Sequence, residues 1–270
     1  MQRRQILKAS LAGSAGALLP AMAQAALPGA AYLAKMAAFD EPHPTDIRVQ
    51  GRDAQLLLQV LGRLDRVKRT VGHGNFAVLG FDPMLRYARN YPAIGRFSAA
   101  ELEFMERVFF REASDYGFMG PKVTRKLTST PNLRNLVRVR RASGNLLYRG
   151  EPLQAFTNLQ KRVGPDLVLT SGIRGVVKQF HLFLRKAASA GGDLSLASRS
   201  LAPPGYSFHG IGDFDVGQRG WGKRNFSSDF VKSPVHARLE ALGVLQIRYP
   251  RNNLLGVRYE PWHIRIASVS

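Results

Sequence analysis

Cysteine is absent from the 270 residues, which excludes disulfides and thiolate-bound metal. Acidic residues are scarce: 19 Asp and Glu stand against 39 Lys and Arg, a formal charge of +20. A chain so charged is drawn to polyanions, whether nucleic acid, anionic lipid or an acidic wall polymer, and charge by itself does not choose among them. No stretch is apolar enough to form a membrane anchor, and there is no internal repeat or low-complexity tract. Zinc-finger spacing and the aromatic–basic motif of RNA-binding sheets are also missing, which speaks against nucleic acid. What is present is enough for a core. With 45% hydrophobic, 9% aromatic and 21% charged residues, the composition is not that of a disordered chain. The length admits one large domain or two small ones.

The N-terminus points to a compartment. Arg3 and Arg4 precede Ile6, Leu7 and Lys8, a weakly apolar stretch runs from Ala9 to Leu19, and Ala21-Met22-Ala23 and Ala23-Gln24-Ala25 offer small-x-small cleavage sites. A basic start, a short apolar middle and a small-residue exit describe a secretory signal over residues 1–25. The paired arginines with Leu7-Lys8 resemble a twin-arginine signal, although Gln2 stands where Ser or Thr is usual. The competing reading is an amphipathic helix of the folded domain. Cleavage would remove Arg3, Arg4 and Lys8 and leave 36 basic residues against 19 acidic, a net +17. The expectation is an exported, periplasmic protein with no stable membrane anchor once the signal is gone.

Periodicity predicts a helix over 53–71 through Leu57, Leu58, Val60, Leu61, Leu64 and Val67. Ser98 and Glu101 form a capping box for a second helix through Phe104, Met105, Val108, Phe109 and Ala113. Between them, residues 72–95 carry Gly, Pro and Asn and read as a long irregular connection. A third helix covers Pro152 to Val163 and stops at Gly164-Pro165. The β-rich run Leu167 to Thr170 leads to Ser171-Gly172-Ile173-Arg174 and a fourth helix through Val176, Val177, Phe180, Leu184 and Ala187. Residues 195–206 read as loop. Residues 245–249 and 256–267 read as paired strands around Asn252-Asn253. The basic run Arg134, Arg138, Arg140 and Arg141 alternates with Leu136, Val137 and Val139, as in a half-buried element with a solvated basic face. Helices first and antiparallel strands last make the class α+β.

Two of the six histidines stand out. His209 lies in Ser207-Phe-His-Gly-Ile-Gly-Asp-Phe-Asp215, and His263 lies in Glu260-Pro-Trp-His263. Two imidazoles and one carboxylate, with a fourth position left to water, form the donor set of a catalytic zinc site. Asp215 and Asp213 are both candidates for the carboxylate, and Glu260 could take the proton of the water. The plainer reading of each piece alone is a hydrogen-bonded structural His–carboxylate pair. His43, His73, His181 and His236 have no partner at ligand spacing, and His181, within the fourth helix, reads as a packing or surface residue. The glycines of 210–222 lack the strand–loop–helix order of a phosphate cradle. Asp40-Glu41 are adjacent in a Pro-rich loop and make no paired-carboxylate site. Trp262 reads as core or site wall.

Taken together, Ser207-x-His209-x-x-Gly212 with Asp215-Val-Gly, Glu260-x-Trp-His263, and Ser171-Gly-Ile-Arg174 with Gln179 resemble three blocks, in order, of the zinc D-Ala-D-Ala carboxypeptidases and dipeptidases of the VanY type. The resemblance implies a small, mostly antiparallel sheet carrying a zinc site, flanked by helices. It implies His209, Asp215 and His263 as ligands of one Zn²⁺ per chain, and Glu260 as general base. Arg174 would stabilise the oxyanion or orient the substrate, and Ser207 would hydrogen-bond the substrate or its loop. The spacing departs at one point: the family's Asp follows the first His by seven residues, whereas Asp215 follows His209 by six and Asp213 by four. Val216-Gly217 keeps the family's register behind Asp215. The implied division is a signal over 1–25, a mainly helical region over 26–140 that no motif covers, and a zinc peptidase domain over 141–270. The implied activity is hydrolysis of a D-amino-acid-containing bond in peptidoglycan stem peptides, foremost as a D-Ala-D-Ala carboxypeptidase. The alternative is a non-catalytic periplasmic wall-binding protein on the same scaffold.

Overall fold

The computed structural model describes residues 29–139 and 144–266. The expected signal over residues 1–25, and Arg140 and Arg141 of the basic run, lie outside the described residues. A short helix α1 (Ala30–Ala37) leads to α2 (Gly51–Val71), which buries Leu56, Leu57, Val60, Leu64 and Val67 at helical spacing and leaves Leu58 in solvent.

The expected irregular connection after α2 is instead two helices, α3 (His73–Val78) and α4 (Phe81–Asn90). The residues taken as punctuation sit at their ends. Gly80 caps α4, where its backbone approaches Thr130 too closely for any side chain. Pro83 lies in the first turn, where its missing N–H leaves no bond unmade. Phe76, Ala77, Phe81, Met84 and Ala88 then face inward.

Helix α5 (Ala99–Phe110) starts on the expected capping box: Ser98 Oγ accepts from the Glu101 amide, and Glu101 Oε2 accepts from the Ser98 amide at 2.7 Å. Strands β1 (Leu136–Arg138) and β2 (Leu146–Tyr148) form an antiparallel pair, with Arg134 and Arg138 exposed as the basic run suggested. Helix α6 (Glu151–Val163) opens with Pro152 in its first turn and ends at Gly164. Next come β3 (Leu167–Ser171), α7 (Val176–Ser189), the short helix α8 (Leu194–Ser198), β4 (Phe214–Gln218), α9 (Pro234–Ala241) and β5 (His263–Ile264). Helix α8 corrects part of the loop expected over 195–206; Asp193 caps it by accepting from the Leu196 amide.

The main sheet is three-stranded and antiparallel, in the order β3-β4-β5. The terminal hairpin expected around Asn252-Asn253 is reduced to a bridge between Ile247 and Ile264 with a few flanking backbone bonds. Pro250 and Pro261 lack the N–H groups a regular ladder needs, so residues 250–261 swing out as a wide loop. The class is α+β, as the sequence indicates.

One apolar cluster joins α2, α3, α4 and α5 to the inner face of α7 through Val176, Val177, Phe180, Phe183, Leu184 and Ala187. A second packs α6 and α9 on the main sheet. The chain before α2 is strapped to the far half by a buried ion pair between Asp46 and Arg199 and by Tyr32, whose hydroxyl accepts from the Gly256 amide. Among the described residues no helix is long and apolar enough to cross a membrane.

Candidate metal centre and active site

Strand register assembles the centre. Ser171 of β3 pairs with Asp215 of β4, and Asp215 pairs with His263 of β5, so three consecutive strands present these side chains in one row. His209 arrives from a 3₁₀ turn, Phe208–Gly210, next to the end of β3. Its Nδ1 lies 2.9 Å from the Gly172 carbonyl, which fixes the tautomer with the N–H there and turns the Nε2 lone pair inward. Gly172 is required at that point: a side chain would drive into the Leu146 carbonyl, while the neighbouring Ile173 amide donates to the same oxygen.

His209, Asp215 and His263 each offer one donor atom, all within 4.8 Å of one another, and all three residues are buried. His209 Nε2 stands 3.3 Å from Asp215 Oδ1, and His263 Nδ1 stands 3.7 Å from the same oxygen. His209 Nε2 and Asp215 Oδ1 are buried without a hydrogen-bond partner. Orphaned buried acceptors are costly. Two imidazole nitrogens and a carboxylate oxygen converging on one point therefore fit a metal ion.

Electrostatics distinguish the two histidines. Burial, with the charge of Arg174, pushes His209 down to about 4 despite Asp215, so its imidazole is neutral as a ligand must be. Asp215 lies far below the carboxylate range: burial opposes this, but the nearby His209 ring and the charge of Arg174 outweigh it. Burial would lower His263 too, yet hydrogen bonds to Asp213 and Glu260 and the charge of Asp215 raise it to about 9.

Asp213 lies outside the converging set. Its carboxylate takes both Nε and Nη2 of Arg248, at 2.7 and 3.0 Å, the Ile266 amide at 2.9 Å, and His263 Nε2 at 3.1 Å. Of the two candidate carboxylates, geometry brings Asp215 to the histidines and puts Asp213 behind His263. The six-residue spacing from His209 is absorbed because Asp215 is placed by the β3–β4 and β4–β5 registers and not by the turn.

Ser171, Arg174, Ser207, Glu260 and Trp262 share a cavity of about 380 Å³ beside the centre. Glu260 Oε2 is 3.2 Å from His263 Nδ1. Arg174 is held by Ser171 Oγ at 3.1 Å and donates to Asp215 Oδ2 at 2.6 Å, which leaves Oδ1 free to face the histidines. Gln179 turns from the cavity and donates to the Ala202 carbonyl, fixing the wall there. Trp262 is wall and core at once, 3% exposed. His181 packs edge-on against Phe76 and pairs with Asp65 at 2.7 Å, the packing residue the sequence suggests.

Sequence reasoning missed three contributors. Tyr249 sets its ring edge-on to His263 at 4.9 Å. Arg248 anchors Asp213. Lys178 lines the cavity one turn after Arg174. The i, i+4 spacing of Arg174 and Lys178 at the start of a predicted helix was the available signal for the last.

Residues 149–269 match the family model VanY, described as D-alanyl-D-alanine carboxypeptidase. This region, rather less than half of the chain, is therefore similar to the VanY-type peptidases, in agreement with the motif resemblance. The chain is similar to three solved structures. The LdcB LD-carboxypeptidase is 19% identical, with 50% of this chain and 68% of that one covered and a TM-score of 0.39. A vancomycin-resistance D,D-pentapeptidase VanY, solved as a mutant in complex with Zn(II), is 23% identical, with 52% and 84% covered and a TM-score of 0.38. VanYB in complex with D-alanine-D-alanine is 23% identical, with 54% and 86% covered and a TM-score of 0.39. No curated protein matches the chain.

Proposed function

We propose that the chain is a zinc-dependent D-alanyl-D-alanine carboxypeptidase acting on peptidoglycan stem peptides, with one Zn²⁺ held by His209, Asp215 and His263. The observation that carries this reading is the convergence of two orphaned buried acceptors, His209 Nε2 and Asp215 Oδ1, with His263 Nδ1 at a cavity that also holds Glu260 and Arg174. When bound, zinc supplies Lewis acidity, polarising a peptide carbonyl and bringing the pKa of a water to near ~7. Glu260 takes the proton of the attacking water and hands it to the amide nitrogen as the C–N bond breaks. Arg174 offsets the negative charge gathering on the carbonyl oxygen, a task suited to a side chain that stays ionised and is pinned by Ser171 and Asp215. Ser207 stands on the cavity wall within the substrate's reach.

The twin-arginine-like start and the net charge of +17 after its removal support a periplasmic site of action against an anionic wall. Residues 26–140 serve in this reading as a brace behind the peptidase region, since their helices pack on α7. The test is incubation of the purified protein with defined muropeptides, with and without chelator, and mass spectrometry of the products. Release of one alanine, abolished by chelator and restored by zinc, is the expected result. Intact substrates in the zinc-loaded sample would overturn the reading. An intact Met1 on the protein isolated from its native host would overturn export.

A further inference from the structure

The cavity beside the metal centre is short of negative charge. Its lining carries Arg174, Lys178, Lys186 and Arg258 against two carboxylates, Asp215 and Glu260. Both carboxylates are engaged: Asp215 with Arg174 and the histidines, Glu260 with His263. A metal ion would add further positive charge. The protein itself therefore leaves part of the cationic lining uncompensated.

The excess is ordered along one helix. Arg174, Lys178, Leu182 and Lys186 follow each other at four-residue steps and all line the cavity, so they form one stripe of α7 and the residues leading into it. At about 1.5 Å per residue, Lys178 sits roughly 6 Å along the axis from Arg174. Lys186 is exposed, whereas Lys178 is only 7% exposed. Arg174 has its carboxylate. Lys178, among the described residues, has no hydrogen-bond or ion-pair partner.

An ammonium at the tip of a largely buried side chain and without a counter-ion is costly, and persists where something else supplies the charge. Burial, aided by the like charges of Arg174 and Lys68 and opposed by Asp215, pushes Lys178 down to about 7. The anion that would restore it has to enter the cavity, and the anionic groups that a peptide carries are carboxylates.

We propose that Lys178 is the specificity-determining residue through which the cavity binds a carboxylate of the peptide, next to the reacting centre. The inference rests on the peptidase reading given above and adds to it a residue that the motif blocks do not assign a role. The carboxylate has two possible sources on a peptide: the terminal group of the residue to be released, or an acidic side chain on the acyl side of the scissile bond. No hydrogen bond or ion pair joins Lys178 to Glu260, so its expected part is in affinity and not in proton transfer.

The test compares equilibrium binding to zinc-loaded Glu260→Gln protein with and without Lys178→Met. The probe is a fluorescent pentapeptide ending in D-Ala-D-Ala with one upstream glutamate, read by anisotropy. It is made in four forms: both carboxylates free, terminal amide, glutamine for glutamate, and both neutralised. Removing Lys178 should weaken the free-acid peptide roughly tenfold to hundredfold, the range for a hydrogen bond to a charged group. The doubly neutral peptide should bind both proteins alike. The single neutralisation that erases the difference identifies the source. Equal affinities for the free-acid peptide, or an equal loss for the doubly neutral one, would overturn the proposal. Lys178→Gln is the second variant and has to give the same ranking of peptides, with metal content and melting temperature confirming the fold. Hydrolysis of the same peptides by protein retaining Glu260 is scored separately. Carboxylate-dependent binding through Lys178 with no hydrolysis overturns the peptidase reading and leaves the subsite standing. Hydrolysis with unchanged affinity in the Lys178 variants does the opposite.

Discussion

Asp213 accepts from His263 Nε2 at 3.1 Å and stands behind the histidine, so that the Nδ1 of the same ring faces Asp215. A carboxylate behind a ligating imidazole fixes its tautomer and raises its basicity. Asp213→Asn should therefore retain metal but bind it about 10–100-fold more weakly, whereas Asp215→Asn should leave no stoichiometric metal after dialysis. Competition titration against a chromophoric chelator distinguishes the two. The reverse ranking would make Asp213 the ligand.

Glu260 lines the cavity and touches His263 without joining the converging donor set. Glu260→Gln should keep its metal and lose about 10²–10⁴-fold in turnover, the usual range for a general base. His263→Ala should lose both. Metal analysis paired with a muropeptide assay separates these outcomes, and normal turnover in Glu260→Gln would sink the assigned role.

Metal bound to the native state alone adds stability by mass action, about 2.7 kcal/mol at a hundred times its dissociation constant. For a chain of this size, chelation should lower the melting temperature by roughly 5–10 °C, and added zinc should restore it. Differential scanning fluorimetry reads the shift. A melting curve indifferent to chelator and zinc would place no metal at the centre.

Phe180 is fully buried in the cluster joining α7 to α2 and α5. Phe180→Ala should cost about 3–5 kcal/mol, the range for truncating a buried aromatic ring. Urea unfolding followed by tryptophan fluorescence, which reports Trp221 and Trp262, should shift together with far-ultraviolet circular dichroism. If the fluorescence transition stayed in place, the helices and the sheet would unfold independently.

Asp46 is held below the usual carboxylate range: burial raises it, but the His43 amide, Lys35 and Arg199 together outweigh that. A carboxyl depressed on folding contributes stability that is present above its unfolded value of about 3.9 and is lost as pH falls through the folded one. Asp46→Asn should destabilise the protein at neutral pH and make its stability less sensitive to acid below about pH 4. Urea midpoints across the acid range would show the flatter profile, and parallel profiles would refute it.

Much of the helical framework is legible in local signals. Ser98 and Glu101 announce α5, and Gly164 with Pro165 ends α6, because capping is decided within a few residues of chain. Residues 72–95 were misread for the same reason. Gly80 and Pro83 break helices when judged alone, and only contact with Thr130, far along the chain, shows Gly80 as a cap. The site residues were legible as a set, since His209, Asp215, Glu260 and His263 carry distinctive chemistry in tight motifs. Their arrangement was not. The row Ser171–Asp215–His263 depends on strand register between segments more than forty residues apart, and the choice between Asp213 and Asp215 follows from that register. Arg248, which occupies Asp213, sits in a stretch whose spacing carries no signal.

Helix α7 has one flank in the helical cluster and the other along the cavity beside the candidate metal centre. It works as a beam supported on one side and loaded on the other. A change in α2 or α5 that lets the beam roll by a few degrees would displace Lys178 and Lys186, while His209, Asp215 and His263, fixed to the sheet and its adjoining turn, would stay in place. Substrate preference could then drift through residues that never meet the substrate, at constant metal affinity. In such a protein the chemistry is inherited with the strands, and the choice of substrate is left to the scaffold behind the helix.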